Sequence, residues 1–174
     1  MNARGKTAPI RIGISSCLLG ESVRYDGGHK RDSNIIDTLG HLFEFVPICP
    51  EVAIGLGVPR APIRLVGDLH APRAVGVSNP ALDVTDKLSA YGTRMAHELD
   101  GISGYIFKSR SPSCGMQGVE VFPSGATTAG LYARAFMDVQ PLLPIEEEGR
   151  LADPVLRENF IERVYDFRRR QAFV

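Results

Sequence analysis

The stretch GYIFKSRSPSCG, residues 104–115, joins a short apolar run to a serine-rich turn that contains Cys114. The same order occurs twice earlier in the chain, in IRIGISSC (residues 10–17) and in LFEFVPIC (residues 42–49), and each of these also ends at a cysteine. Short apolar runs that are bounded by turn residues are typical of buried β-strands. The sequence therefore predicts three strands, each followed closely by a cysteine.

The predicted strands cover residues 10–14, 42–46 and 104–107. Two further runs, residues 63–68 and 73–77, are separated by a short turn and predict an edge hairpin. Helical patterns lie between and after these strands, so strands and helices alternate along the chain. This alternation predicts an α/β fold, here a three-layer Rossmann-like domain with a mainly parallel sheet and a C-terminal helix.

Three segments carry the helical patterns. Asp32, Ser33 and Asn34 are the candidates to cap a helix whose apolar stripe is Ile35, Ile36 and Leu39. Residues 83–100 and 154–171 each place apolar side chains along one helical face. We expect residues 1–9 to form an N-terminal tail and residues 10–150 the α/β domain. Residues 151–174 are then a C-terminal helix that packs on this domain or leads to a second one.

The composition limits the class of protein. The chain has 174 residues, of which 44% are apolar and 23% charged, and its formal net charge is +0. These values are typical of an ordinary soluble domain, and the balanced charge gives no general attraction to nucleic acid. No apolar run approaches the roughly 20 residues that cross a bilayer, and the N-terminus lacks the apolar stretch of a secretory signal. We expect a cytoplasmic protein without a membrane segment.

The three cysteines are the candidate functional residues. An odd count argues against a disulfide framework, and thiols that matter in a reducing compartment are usually catalytic or metal-bound. Ligands bind at the carboxyl ends of the strands in open α/β sheets. Three parallel strands would bring Cys17, Cys49 and Cys114 to that edge. The alternative is that each is a small buried hydrophobic residue.

Converging thiolates favour a metal centre. A structural zinc site normally has four protein ligands, so a histidine would have to complete it; the candidates are His29, His41, His70 and His97. An iron–sulfur cluster that is held by three thiolates suits the count better, because its fourth iron is then open to substrate. Such a centre would act as a Lewis acid.

Polar residues beside the cysteines are candidates for chemistry. Glu51 follows Cys49 through one proline, and its carboxylate is either a general acid or base or a first-turn helix residue that interacts with the helix dipole. Ser111 and Ser113 flank Pro112 just before Cys114. They either cap the turn that follows or hydrogen-bond the cluster, or one of them relays a proton. Residues 24–28 form a polar turn whose glycines would let backbone approach a ligand.

Three blocks carry a family resemblance: SSCLLGESVRYDGG (residues 15–28), CPEVAIGLGVPRAP (residues 49–62) and KSRSPSCG (residues 108–115). In this order they resemble the thiouracil desulfidases, catalogued as domain of unknown function 523. The resemblance covers residues 10 to about 143. The segment from residue 142 to residue 170 also resembles the subgroup fused to a second, helical domain, some members of which desulfurise 4-thiouridine in transfer RNA.

The resemblance implies roles for individual residues. Cys17, Cys49 and Cys114 match the family's three ligands of a 4Fe–4S cluster with one open iron. Glu51 matches the proposed acid or base, and Ser111 matches a proposed proton-handling residue.

Other positions in the matched blocks are expected to bind the substrate or to line its site. Tyr25, Asp26 and Ser113 are the predicted substrate-binding residues. Ile54 stands where many members have a glycine, and we expect this difference to change the lining of the site.

The implied function is a non-redox, hydrolytic desulfidase. Its substrate would be a thiolated pyrimidine: thiouracil, 4-thiouridine or thiolated transfer RNA. The sequence assigns neither a sulfur acceptor nor an oligomeric state. One alternative is a non-catalytic module that binds RNA or protein and is stabilised by zinc or an iron–sulfur cluster. The other alternative is an electron-transfer protein. Lys108, Arg110 and the terminal arginines could form a local phosphate-binding patch.

Overall fold

A computed structural model describes residues 7–173. Residues 1–6 of the predicted N-terminal tail and Val174 lie outside the described residues. The strands are β1 (Arg11–Ser15), β2 (Glu44–Ile48), β3 (Ile63–Gly67), β4 (Pro72–Gly76), β5 (Tyr105–Phe107), β6 (Val119–Phe122), β7 (Thr127–Thr128) and β8 (Ile145–Glu147). The α-helices are α1 (Ser33–Leu39), α2 (Pro50–Ala53), α3 (Thr85–Glu98), α4 (Leu131–Val139) and α5 (Pro154–Gln171).

The main sheet contains the three strands that precede the cysteines. Its order is β2-β1-β5-β8, and all neighbouring strands are parallel. Strand β2 begins two residues later than predicted, because the backbone N–H groups of Leu42 and Phe43 close the end of α1 by donating to the Leu39 carbonyl. The predicted α/β fold with a mainly parallel sheet is confirmed.

Helices cover both faces of the main sheet. On one face, α1 and α5 pack through Ile35, Leu39, Phe160 and Val164 against β1 and β5. The predicted cap of α1 is present, since the Asp32 carboxylate accepts the Ile35 N–H at 3.0 Å. On the other face, α3 and α4 pack against the aromatic side chains of β5. The result is the three-layer arrangement expected from the alternation of strands and helices.

The predicted hairpin exists but belongs to a second sheet, with the order β4-β3-β6-β7. Strand β3 pairs antiparallel with β4 and parallel with β6, so it is internal. The apolar face of this sheet, which includes Leu65 and Val121, packs on Leu88 of α3 and Leu131 of α4. The hairpin therefore forms part of the second sheet and does not extend the edge of the main sheet.

Among residues 7–173, no helix is both long enough and apolar enough to cross a membrane.

Candidate functional site

A cavity of about 470 Å³ opens at the carboxyl ends of β1, β2 and β5. Cys17, Cys49 and Cys114 all line it, together with Glu51 and Ser111. The three strands run parallel, so each chain segment leaves the sheet at the same edge. Residues that are far apart in sequence therefore face one space.

Cys17 and Cys49 are held by short helical turns directly after their strands. Cys17 lies in a 3-10 turn, Ser16–Leu19, and its carbonyl accepts the Lys30 N–H at 2.9 Å. Cys49 is the N-cap residue of α2, and its Sγ lies 3.9 Å from the Val23 carbonyl oxygen. Both thiols are thus fixed by backbone close to the cavity wall.

The loop that carries Cys114 is anchored on the start of α4. The first helical N–H groups of α4 lack partners within the helix, and here Leu131 and Ala133 donate to the carbonyls of Pro112 and Ser113, each at 3.0 Å. Gly130 permits this contact, because a Cβ there would lie 2.6 Å from the Ser113 carbonyl carbon and oxygen. The helix end therefore fixes the position of the cysteine loop.

Ser111 caps the turn that contains Cys114. Its Oγ accepts the N–H of Ser113 at 3.3 Å and the N–H of Cys114 at 3.0 Å. The same side chain lines the cavity. The capping role that the sequence left open is present, and a role in proton transfer stays a prediction.

The three buried thiols would need a cationic centre beside them to be stable together as thiolates. Burial raises the pKa of Cys17, Cys49 and Cys114, most strongly for the fully buried Cys114. Lys108 and Arg24 act in the opposite direction on Cys17, whereas the negative charge of each thiolate would raise the pKa of its neighbours. Three thiolates become stable together when a metal centre neutralises them.

The residues present fit an iron–sulfur cluster better than a single zinc ion. Within the described part of the chain, no three His, Cys, Asp or Glu side chains are close enough to hold one metal ion. The four histidines are all described, and none of them lines the cavity. A cluster is wider than an ion, and three cysteines around a cavity of this volume suit it. Ser16, which lines the cavity, has a buried hydroxyl that makes no hydrogen bond to any of residues 7–173.

Glu51 lies at the cavity wall with both carboxylate oxygens engaged. Its Oε1 accepts the Arg60 Nε–H at 3.0 Å, and its Oε2 accepts the Ser113 hydroxyl at 2.9 Å. The carboxylate also occupies the first turn of α2, as one of the sequence alternatives proposed. With only 13% of its side chain exposed, Glu51 is a largely buried carboxylate that is held in one orientation.

The predicted substrate-binding residues are in different environments. Tyr25 lines the cavity mouth and is 41% exposed, with the Arg24 guanidinium 5.7 Å from its ring centre. Asp26 is not part of the cavity wall; its Oδ1 accepts the Gly28 N–H at 2.8 Å in an exposed turn. Ser113 is fully buried behind Glu51 and does not line the cavity either.

The sequence model of the 2-thiouracil desulfurase family matches residues 12–148. The chain belongs to this family. Among solved structures, the chain is similar to the [4Fe-4S]-dependent thiouracil desulfidase TudS, with 34% identity, a TM-score of 0.66, and coverage of 86% of this chain and 97% of that one. It is also 31% identical to the uncharacterized protein YbbK of Bacillus subtilis (strain 168), over 67% of this chain and 85% of the relative.

The departure at Ile54 does not alter the cavity wall of this desulfurase-family protein. Ile54 is absent from the residues that line the cavity and packs on the apolar core under the second sheet. The substitution therefore affects the support of α2 rather than the surface that a substrate would meet.

Sequence reasoning missed a partly buried ion pair beside the site of this family member. Lys108 Nζ donates to Glu148 Oε1 at 2.8 Å, to the Ser109 carbonyl at 3.0 Å and to Ser109 Oγ at 3.1 Å. These three bonds use all three ammonium donors. Lys108 is therefore a fixed charge near Cys17. The acidic run at residues 146–148 was the sequence feature that could have indicated this pair. Strand β8, which brings the run next to Lys108, was not predicted.

The Lys108–Glu148 pair predicts a loss of stability in the Glu148→Ala variant. The variant leaves the Lys108 ammonium without its carboxylate and the Ser109 N–H without its acceptor, so we expect the free energy of unfolding to fall by about 2–4 kcal/mol. Chemical denaturation measures this change. Glu98→Ala is the matched control, because Glu98 pairs with Arg94 on the exposed surface of α3 and its loss should cost under about 0.5 kcal/mol.

The effect of Glu148→Ala should depend on pH. Burial raises the pKa of Glu148, but hydrogen bonds from Lys108 and Ser109 lower it, and the net pKa lies below its ordinary value of 4.5. A carboxyl with a lowered pKa stabilises the fold above its unfolded-state pKa, and this contribution disappears as the pH falls. The difference between wild type and variant should shrink below pH 4.5; an unchanged difference would contradict this assignment.

Proposed function

We propose that this protein is an iron–sulfur-dependent desulfidase that removes sulfur from a thiolated pyrimidine by non-redox hydrolysis. The observation that carries the proposal is the arrangement of Cys17, Cys49 and Cys114 around one cavity whose wall includes the Glu51 carboxylate. The net reaction converts the thiocarbonyl and one water into the carbonyl and hydrogen sulfide, so no electrons are gained or lost. When bound to the three cysteines, the cluster supplies a Lewis-acidic iron that polarises the thiocarbonyl group.

Glu51 is the proposed general base of this reaction. Its carboxylate faces the cavity and can take a proton from a water as that water adds to the ring carbon. The hydrogen bonds from Arg60 and Ser113 orient the carboxylate. Protein groups that are already oriented need no rearrangement at the moment of reaction, so these two residues support catalysis through Glu51.

Ser111 is the proposed second proton carrier. Its oxygen accepts two backbone N–H groups, which leaves its own hydroxyl proton to be donated toward the cavity. Donation to the departing sulfur would assist cleavage of the carbon–sulfur bond. Glu51 would thereby remove a proton from the water, and Ser111 would supply a proton to the departing sulfur.

The substrate is proposed to be a thiolated pyrimidine, either free or within transfer RNA. Tyr25 at the mouth offers an aromatic face for a pyrimidine ring. Arg24, Lys30 and Arg110 also line the cavity, and their charges would suit a substrate that carries phosphate.

Sulfide release from three substrates tests the proposal. The anaerobically reconstituted protein is incubated with 2-thiouracil, 4-thiouridine or thiolated transfer RNA, without added reductant. We expect one sulfide to form for each thiocarbonyl lost with at least one of them, and oxygen-18 from labelled water to appear in the product. Binding of the transfer RNA without sulfide release from any substrate would favour the binding module instead, and a requirement for reductant would contradict hydrolysis.

A further inference from the structure

We propose that the Ser16 hydroxyl donates a hydrogen bond to a sulfur atom of the iron–sulfur cluster and thereby sets the electronic state of the cluster. The cluster itself belongs to the proposed function, on which this inference rests. Ser16 is a positioning residue in this account, because it acts through the cluster and not on the substrate.

The observation is a buried hydroxyl that lacks a partner. Ser16 is only 2% exposed, and its Oγ makes no hydrogen bond within residues 7–173. Buried polar side chains are nearly always hydrogen-bonded, and an unpaired one destabilises the fold. Because Ser16 lines the cavity, a group that fills the cavity can supply the missing partner.

The other unpaired atom in the described chain has a separate explanation. It is Arg64 Nε in the second sheet, where the guanidinium lies 4.9 Å from the ring centre of Phe122. A guanidinium over an aromatic face gains electrostatic attraction from the ring. No such interaction is available to the neutral hydroxyl of Ser16.

The position of Ser16 indicates that the partner is sulfur. Ser16 is adjacent to Cys17 in the 3-10 turn and lines the cavity together with all three cysteines. A cluster held by these cysteines would present its sulfur atoms to this wall. The oxygen of the neighbouring Ser15, in contrast, already accepts the Lys108 N–H at 2.9 Å.

A hydrogen bond to sulfur has a measurable consequence. Hydrogen bonds to the sulfur atoms of a cluster tune its reduction potential, because the donor withdraws electron density and stabilises the more negative, reduced form. The Ser16→Ala variant should therefore keep its iron and sulfide but show a more negative reduction potential. The iron–sulfur stretching bands should also lose part of their shift on exchange into heavy water.

The matched control is Ser103→Ala. Ser103 is fully buried and donates to Gln171 Oε1 at 3.1 Å, away from the cavity. Its variant should retain the wild-type potential and the wild-type heavy-water shift. A potential and heavy-water shift in Ser16→Ala that equal those of wild type would overturn the proposal.

A second pair of variants covers the case in which Ser16→Ala fails to retain the cluster. Ser16→Thr keeps a hydroxyl, and Ser16→Val replaces it with a methyl of similar shape. The threonine variant should have the more positive potential, and equal potentials would overturn the proposal. The reduction potential and the heavy-water shift are both independent of turnover. A protein that shows these changes but releases no sulfide would contradict the proposed function and leave the Ser16 proposal standing.

Discussion

Replacement of Cys49 by serine is expected to abolish both iron binding and desulfidase activity. Three cysteines are the only thiols in the chain, so the variant leaves two thiolates where the proposed cluster has three. A serine hydroxyl is far less acidic than a thiol, and its oxygen is a harder ligand that holds iron–sulfur clusters less well than a thiolate does. Iron and acid-labile sulfide should fall to background, together with sulfide release from the thiolated substrate.

The same double loss is expected for Cys17→Ser and Cys114→Ser, because all three side chains line one cavity. Ile48→Val is the matched control: Ile48 is the buried residue before Cys49, and losing one methyl costs about 0.5–1.5 kcal/mol without removing a ligand. The control should keep its iron. Full iron content and activity in any of the three serine variants would contradict the ligand assignment.

Replacement of Glu51 by glutamine is expected to leave the cluster in place and lower kcat by about 10²- to 10⁴-fold, the usual contribution of general acid–base catalysis. Glutamine keeps the shape of the side chain but cannot take a proton from water. Iron content and the visible spectrum of the cluster should match those of wild type. The measurement is sulfide release at saturating substrate, which separates a loss of kcat from a loss of binding.

Glu98→Gln provides the control for Glu51→Gln. It removes one carboxylate from the exposed surface of α3, where Glu98 pairs with Arg94, and should leave kcat unchanged. A Glu51→Gln variant with wild-type kcat would remove Glu51 from the mechanism. A variant that instead loses its iron would show that Glu51 mainly supports the fold through its bond to Ser113.

The elements that the sequence predicts well are those with a strong local signal. Strands β1, β2 and β5 are apolar runs bounded by turns, and α1 has its Asp32 cap. Helices α3 and α5 are long and have an apolar face, and their ends lie within two residues of the predicted ones. In each case the residues that determine the element are its own neighbours in sequence.

Helix α4 and the short strands were missed because distant residues stabilise them. The N-cap of α4 is Gly130, which has no capping side chain, and the helical N–H groups bind carbonyls of the Cys114 loop instead. Strands β6, β7 and β8 have four residues or fewer, too few for a reliable pattern. The second sheet depends on the pairing of β3 with β6, which no local signal encodes.

The candidate site also divides into features with a local sequence signal and contacts between distant residues. The convergence of cysteines and a carboxylate on one cavity could be predicted from residue type and order, as for Cys17, Cys49 and Glu51; their roles stay predictions. Their partners could not be predicted: Ser113 is 62 residues from Glu51, and Glu148 is 40 residues from Lys108. Asp26 lies in a matched block, and its carboxylate accepts the Gly28 N–H in an exposed turn; its role in substrate binding stays a prediction.

The most direct test of the account is the metal and sulfide content of the wild-type chain after anaerobic purification and reconstitution. The three thiols at one cavity predict iron and acid-labile sulfide in equal amounts, about four of each per chain for a 4Fe–4S cluster. This protein should then release sulfide from a thiolated pyrimidine. Zinc in place of iron, or no metal after reconstitution, would contradict the assignment of the site.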